Sequence, residues 1–224
     1  MHVPGKEITR EAGRQVQARW PAVVATLAVG VLSYALPESL TIGPGWLPIG
    51  LVVLLLIPTS FSHRTGRTGL NEVLAYALLG VITVAVASSL VLLITRLPAH
   101  KESPMELLKA AASLWLANML VFASWYWRLD GGGPNARDKR GVHTDGAFLF
   151  PQMMMDPELR RTMGEDNWSP GFVDYLFLAF NTSTAFSPTD VPVLSRWAKV
   201  MMIVQSMISL ATLALLAARA VNIL

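Results

Sequence analysis

No cysteine occurs in the 224 residues, which excludes a disulfide framework, a thiolate nucleophile and a cysteine metal site. Charge is scarce as well. Only 15% of the residues are Asp, Glu, Lys or Arg against 53% hydrophobic, a balance too apolar for a soluble domain. The four histidines, His2, His63, His100 and His143, are scattered with no pair at metal-ligand spacing. Neither a Walker loop nor a dinucleotide fingerprint is present, and Gly131-Gly132-Gly133 lacks the strand and helix context such a motif requires. No carboxylate lies deep within a long apolar run. These absences leave no candidate catalytic residue, metal site or cofactor, and enzyme is the weakest class.

What the chain has in quantity is apolar runs near twenty residues long, the length that crosses a hydrocarbon core about 30 Å thick. The expected partner is therefore the lipid bilayer. The net charge of +3 does not point to nucleic acid, because the 18 Lys and Arg sit between the apolar runs, as the positive-inside rule requires. Residues 1–19 form a basic segment. Trp20 and Pro21 open a first span that reaches Leu36, Trp46 to Phe61 is a second, and Asn71 and Glu72 begin a third that runs to Ile94. Ser103-Pro104-Met105-Glu106 is a capping-box string. It opens a fourth helix ending at Trp125-Tyr126-Trp127, a cluster suited to an interfacial aromatic belt. Residues 20–128 are thus a four-helix membrane region.

Residues 129–170 form the one sizeable extramembrane loop, with a glycine-proline break, clustered arginines and the apolar islands Phe148-Leu149-Phe150 and Met153-Met154-Met155. The islands either dock a cytoplasmic partner or pack on the membrane face of the loop. Asp156-Pro157-Glu158 starts one short helix, and Ser169-Pro170 is expected to cap the next element.

Residues 171–224 hold the unusual part. The apolar run Gly171 to Phe180 meets the polar string Asn181-Thr182-Ser183-Thr184, followed by Ala185-Phe186-Ser187-Pro188-Thr189-Asp190 and a long span from Arg196 to Arg219. About twelve helical residues cover only about 18 Å, so the first run dips into a membrane without crossing it. Half-helix, polar stretch and full helix is how non-helical backbone reaches membrane depth. Within the last span Gln205, Ser206, Ser209 and Thr212 share one face, and Asn118 lies mid-span in the fourth helix. These amides and hydroxyls either line a pathway or hydrogen-bond between packed helices. Asp174 and Asp190 bracket the dipping segment, where each would attract cations, complement a helix N-terminus or cap a turn.

The order of outer helix, linker, short helix, Thr-rich turn ending in Asp and inner helix resembles the pore module of potassium-type channels. The correspondence falls on Thr184 to Asp190. Of the family's Thr-Val-Gly-Tyr-Gly-Asp string only the final Asp is kept, so potassium-selective carbonyl geometry is not implied. The C-terminal quarter also resembles uncharacterised bacterial multi-pass membrane proteins, through Asp174-Tyr175-Leu176, Thr184-Ala185-Phe186, Thr189-Asp190-Val191, Ser195-Arg196 and Ala220-Val221-Asn222. The bacterial family carries no known activity; the pore-module resemblance implies a pore loop built from Asn181, Thr182, Thr184, Phe186, Ser187, Thr189 and Asp190. It also implies an ion or small solute as cargo and a homo-oligomer around the path.

The expected fold is therefore an all-α integral membrane protein of five transmembrane helices plus one re-entrant half-helix, with six transmembrane helices as the alternative. With five crossings and a cytoplasmic N-terminus, only Arg96, Lys101, Lys109 and Arg219 fall outside, against fourteen basic residues inside. The expected location is the bacterial inner membrane.

Overall fold

The computed structural model describes residues 17–64, 68–96, 103–140, 143, 146–166, 168–187 and 190–221. Most of the basic segment 1–19 and the pore-loop candidate Thr189 lie outside the described residues. Among the described residues nine α-helices follow in order: α1 Trp20–Tyr34, α2 Leu47–Arg64, α3 Thr68–Arg96, α4 Pro104–Leu129, α5 Pro134–Arg140, α6 Pro151–Met154, α7 Pro157–Thr162, α8 Phe172–Thr184 and α9 Arg196–Val221. Among the described residues there is no named strand, only an isolated antiparallel bridge between Phe148 and Val193.

Among the described residues three helices, in α3, α4 and α9, are long and apolar enough to cross a membrane. The apolar helices Trp20–Tyr34 and Leu47–Phe61 are shorter. At 1.5 Å per residue each covers about 22 Å, less than a hydrocarbon core of about 30 Å.

Helix α4 is the hub, packing against α1, α3, α8 and α9. It starts as its sequence dictates. The Ser103 side chain accepts from the Glu106 backbone N–H, Glu106 reaches back to Ser103, and Pro104 takes the first helical position. The ends of α1 to α4 alternate. Asn71 at the start of α3 donates to the Thr59 carbonyl near the end of α2 (2.7 Å), and Tyr76 donates to the Arg128 carbonyl near the end of α4 (3.3 Å). At the opposite end, Arg96 closes α3 against the Ser39 carbonyl in the α1–α2 connection.

Two apolar cores result. One, around Val29, Val52, Leu78, Leu93, Leu114 and Val121, fills the space among α1 to α4. The other gathers Tyr126, Trp127, Phe148, Phe150, Phe172 and Tyr175 where α4, α8, α9 and the 141–170 segment meet. Tyr126 and Trp127 are therefore buried rather than part of an interfacial belt. Phe148 meets Tyr126 at 5.2 Å and Phe150 meets Tyr175 at 5.3 Å between ring centroids, both edge-on. The Phe islands of the loop thus face inward and form a cap on one end of the bundle.

Helix α7 begins where the sequence indicates, with Asp156 accepting from Glu158 and Leu159. Helix α8 does not. Its N-cap is Gly171 rather than Ser169-Pro170, and the Asp174 carboxylate accepts from the Gly171 N–H at 2.7 Å. Ser169 is engaged elsewhere, by Gln17.

Candidate functional site

The polar string after Phe180 is helical. Asn181 to Thr184 complete α8, because the Thr182 and Thr184 hydroxyls donate to the carbonyls of Leu178 (2.8 Å) and Phe180 (2.9 Å) four residues back. The non-helical turn begins only at Ala185, and Phe186 there adopts a positive φ of 54°. Thr184, Phe186, Ser187 and Asp190 are exposed, Asn181 is half-buried and Thr182 is buried.

Gln205 of α9 is fully buried and uses three hydrogen bonds. Its Nε2 donates to the Ala179 carbonyl (2.7 Å) and to Ser183 Oγ (2.8 Å) on α8, and its Oε1 accepts from the Tyr126 hydroxyl on α4 (2.6 Å). One residue on, Ser206 donates to the Thr182 carbonyl at 3.4 Å. Asn118 of α4 donates to the Gln205 carbonyl (3.2 Å) and to Ser209 Oγ (2.9 Å). Thr212 donates back to the Ile208 carbonyl at 3.0 Å. The polar face of α9 is thus turned into the protein and bonded to α4 and α8, leaving α9 to present Val200, Ile203, Val204, Met207 and Leu210 outward.

A second knot, which sequence inspection missed, closes the capped end. Asp130, directly after α4, is fully buried. Its carboxylate accepts from the Tyr175 hydroxyl of α8 (2.7 Å) and from the Ala147 N–H in the cap. His143 Nε2 lies 3.1 Å from the same carboxylate, at ion-pair distance but without hydrogen-bond alignment. The buried Arg137 guanidinium donates to the carbonyls of Trp127 (3.0 Å) and Asp130 and to Gln17 (3.0 Å), and lies 5.4 Å from the centre of the Tyr175 ring. Gly133 makes this turn possible. Its φ is +84°, and a Cβ there would sit 2.6 Å from the Arg128 carbonyl oxygen.

The knot also ties both α8 and the residues around Pro192 to the end of α4. Tyr175, in the first turn of α8, is tied to Asp130. The far end returns to the same place, since Leu149 donates to the Pro192 carbonyl (3.0 Å), Leu194 to the Ala147 carbonyl (2.8 Å), and Ala147 to Asp130. Between those anchors α8 runs inward until Ser183 meets Gln205. Gln205 stands about 14 Å along α9 from Arg196, and Asn118 about 18 Å along α4 from Asp130, at the helical rise of 1.5 Å. Tyr175 and Pro192 are thus both tied to the knot at one end of the bundle, while the last turn of α8 lies beside the middle of α9.

Among the described residues no cluster of His, Asp and Glu is arranged to hold a metal ion. Asp174 is spent on the α8 N-terminus and Asp190 is exposed in a turn ahead of the Val193 bridge. Comparison with protein-family models, with curated proteins and with solved structures finds no match to this chain.

Proposed function

We propose that this chain is an integral membrane protein of five crossings and one re-entrant half-helix, α8, that passes an ion or small solute where copies of it meet. The observation that carries this reading is the exposed, non-helical turn after α8, held at mid-depth by Gln205. Backbone outside a helix is not tolerated against hydrocarbon; it must be buried in protein or face water. Phe186 is exposed in the single chain, so in a membrane a second copy or water would have to face it. A single short loop encloses a path only when it is repeated around an axis.

In this reading α1 and α2 cross despite their short apolar stretches, anchored by the exposed Trp20 and Trp46 and by local thinning of the bilayer. The N-terminus and the cap are cytoplasmic, and α8 enters from that side. A path inside one subunit is disfavoured, because the Asn118 amide is bonded to Ser209 and the Gln205 carbonyl, and the Gln205 amide to Tyr126, Ala179 and Ser183.

Purified protein in liposomes is expected to form a symmetric oligomer by mass and to pass ions. Asp190→Asn should lower the preference for cations, and Phe186→Ala should raise the flux. A monomer with no flux above empty liposomes would sink the proposal. A second reading has one observation in its favour: Met154, Leu159 and Met163 are 53%, 44% and 61% exposed on the cap beside Arg160 and Arg161, a surface suited to a cytoplasmic partner. Absent flux together with a co-purifying protein that is lost on Met163→Asp would favour it.

A further inference from the structure

A pocket of about 330 Å³ opens among α1, α2, α3 and α4, with Arg19, Trp20 and Arg128 at its polar end and Val23, Leu56 and Leu79 among its apolar walls. Its contributors come from the first turn of α1, the last turns of α2 and α4 and the first turns of α3, so it lies at the same end of the bundle as the cap.

Two guanidinium groups share one indole there. The Arg19 and Arg128 carbons lie 5.6 Å and 5.2 Å from the centre of the Trp127 ring, close enough for the two cations to repel each other. Arg19 is paired with Asp138 at 2.5 Å, yet its Nε is buried without a partner. Arg128 makes no ion pair and donates to no hydrogen-bond acceptor among the described residues; its guanidinium lies on the indole face, with the Glu72 carboxylate within electrostatic reach but not at bonding distance. Asp138 is paired with Arg19 and Glu72 acts on Arg128 from farther off, but the cleft itself is lined by both guanidinium groups and by no carboxylate among the described residues, which leaves two cations facing a largely apolar space. The hydroxyls along the walls do not complete it. Thr26 and Ser124 donate back to the Ala22 and Leu120 carbonyls of their own helices.

We infer that this pocket binds an anionic phospholipid, with the phosphate diester beside Arg128 and Arg19 and one acyl chain along the apolar walls between the helices. The ligand is expected to be both anionic and apolar, because the two guanidinium groups and the apolar walls line one cavity. Basic pockets between membrane helices at the cytoplasmic leaflet have this chemistry, and the volume falls in the range of small-ligand sites. The inference needs the protein to lie in a bilayer. It does not need the turn after α8 to conduct.

The test is a titration of the full chain in neutral detergent, followed by native mass spectrometry, with short-chain phosphatidylglycerol, short-chain phosphatidylcholine and inorganic phosphate as separate probes. Phosphatidylglycerol is expected to bind at least about fivefold tighter than phosphatidylcholine, and Arg128→Gln is expected to remove that preference, as the loss of one interfacial arginine implies. Ser60→Trp, at the exposed mouth of the pocket, leaves both arginines in place and should also weaken phosphatidylglycerol. It decides the question if Arg128→Gln does not fold. Equal binding of the two lipids overturns the inference, as does undiminished binding in a folded Arg128→Gln or in Ser60→Trp. Full competition by millimolar inorganic phosphate would identify a free anion as the ligand and equally overturn the lipid assignment.

Discussion

Replacing Gln205 with leucine is expected to lower the stability of the detergent-purified protein by about 2 to 4 kcal/mol, on typical values of about 0.6 to 2 kcal/mol per interhelical bond. The leucine keeps most of the volume, so the loss is one of polar partners. The Tyr126 hydroxyl, the Ala179 carbonyl and Ser183 Oγ would all be left in a dry interior without the group that joins them. Asn118→Leu should cost less, about 1 kcal/mol, because it removes only the side-chain bonds to the Gln205 carbonyl and Ser209. The double variant should cost less than the sum, since the two residues belong to one network. Thermal unfolding followed by circular dichroism gives all three values. An unchanged midpoint in Gln205→Leu would mean that α8 is not held by this residue.

Asp130→Ala is expected to have the larger effect, about 3 to 5 kcal/mol, the usual cost of deleting one member of a buried ionic network. The substitution strands the Tyr175 hydroxyl and the Ala147 N–H and takes from the buried Arg137 one of its two nearby carboxylates, leaving Asp138. Its signature is local before it is global. With both anchors of the 171–192 segment gone, the cap should detach from α4, and trypsin should cut after Arg160 or Arg161 much faster than in the unaltered protein, while the helical signal of α3, α4 and α9 persists. Equal rates of cleavage would show that aromatic packing around Phe148 and Phe150 suffices to hold the cap.

Parts of this architecture can be read from the sequence because their causes are local. The start of α4 needs only Ser103, Pro104 and Glu106 within four positions, and the start of α7 only Asp156 and its next neighbours. Helices α3, α4 and α9 announce themselves through sustained apolar composition. The extent of α8 was obscured because Thr and Ser in a row suggest irregular backbone, whereas here their hydroxyls bond to carbonyls one turn back. Trp125-Tyr126-Trp127 suggests a belt at the headgroups, yet the cap lies over Tyr126 and Trp127 and makes them core.

Asp130 was beyond reach of any local pattern. It stands beside three glycines like an ordinary loop residue, and its partners Ala147 and Tyr175 are 17 and 45 positions away. The only sequence signal is indirect: glycines at 131, 132 and 133, all with positive φ, mark a backbone forced into a turn that side chains disfavour. Gln17 was equally hidden, at the end of a basic tail, although it bridges Trp127, Arg137 and Ser169.

The central claim is that residues 171–192 dip into the membrane and return to the face they came from. The absence of native cysteine makes single-cysteine labelling direct. Asp190→Cys, Lys139→Cys and Glu38→Cys, all at exposed positions, are placed in sealed vesicles of one orientation and treated with an impermeant maleimide from each side. The account predicts that positions 190 and 139 react from the same side and position 38 from the other. Reaction of position 190 from the side of position 38 would contradict it, and would mean that α8 crosses the membrane as a sixth span.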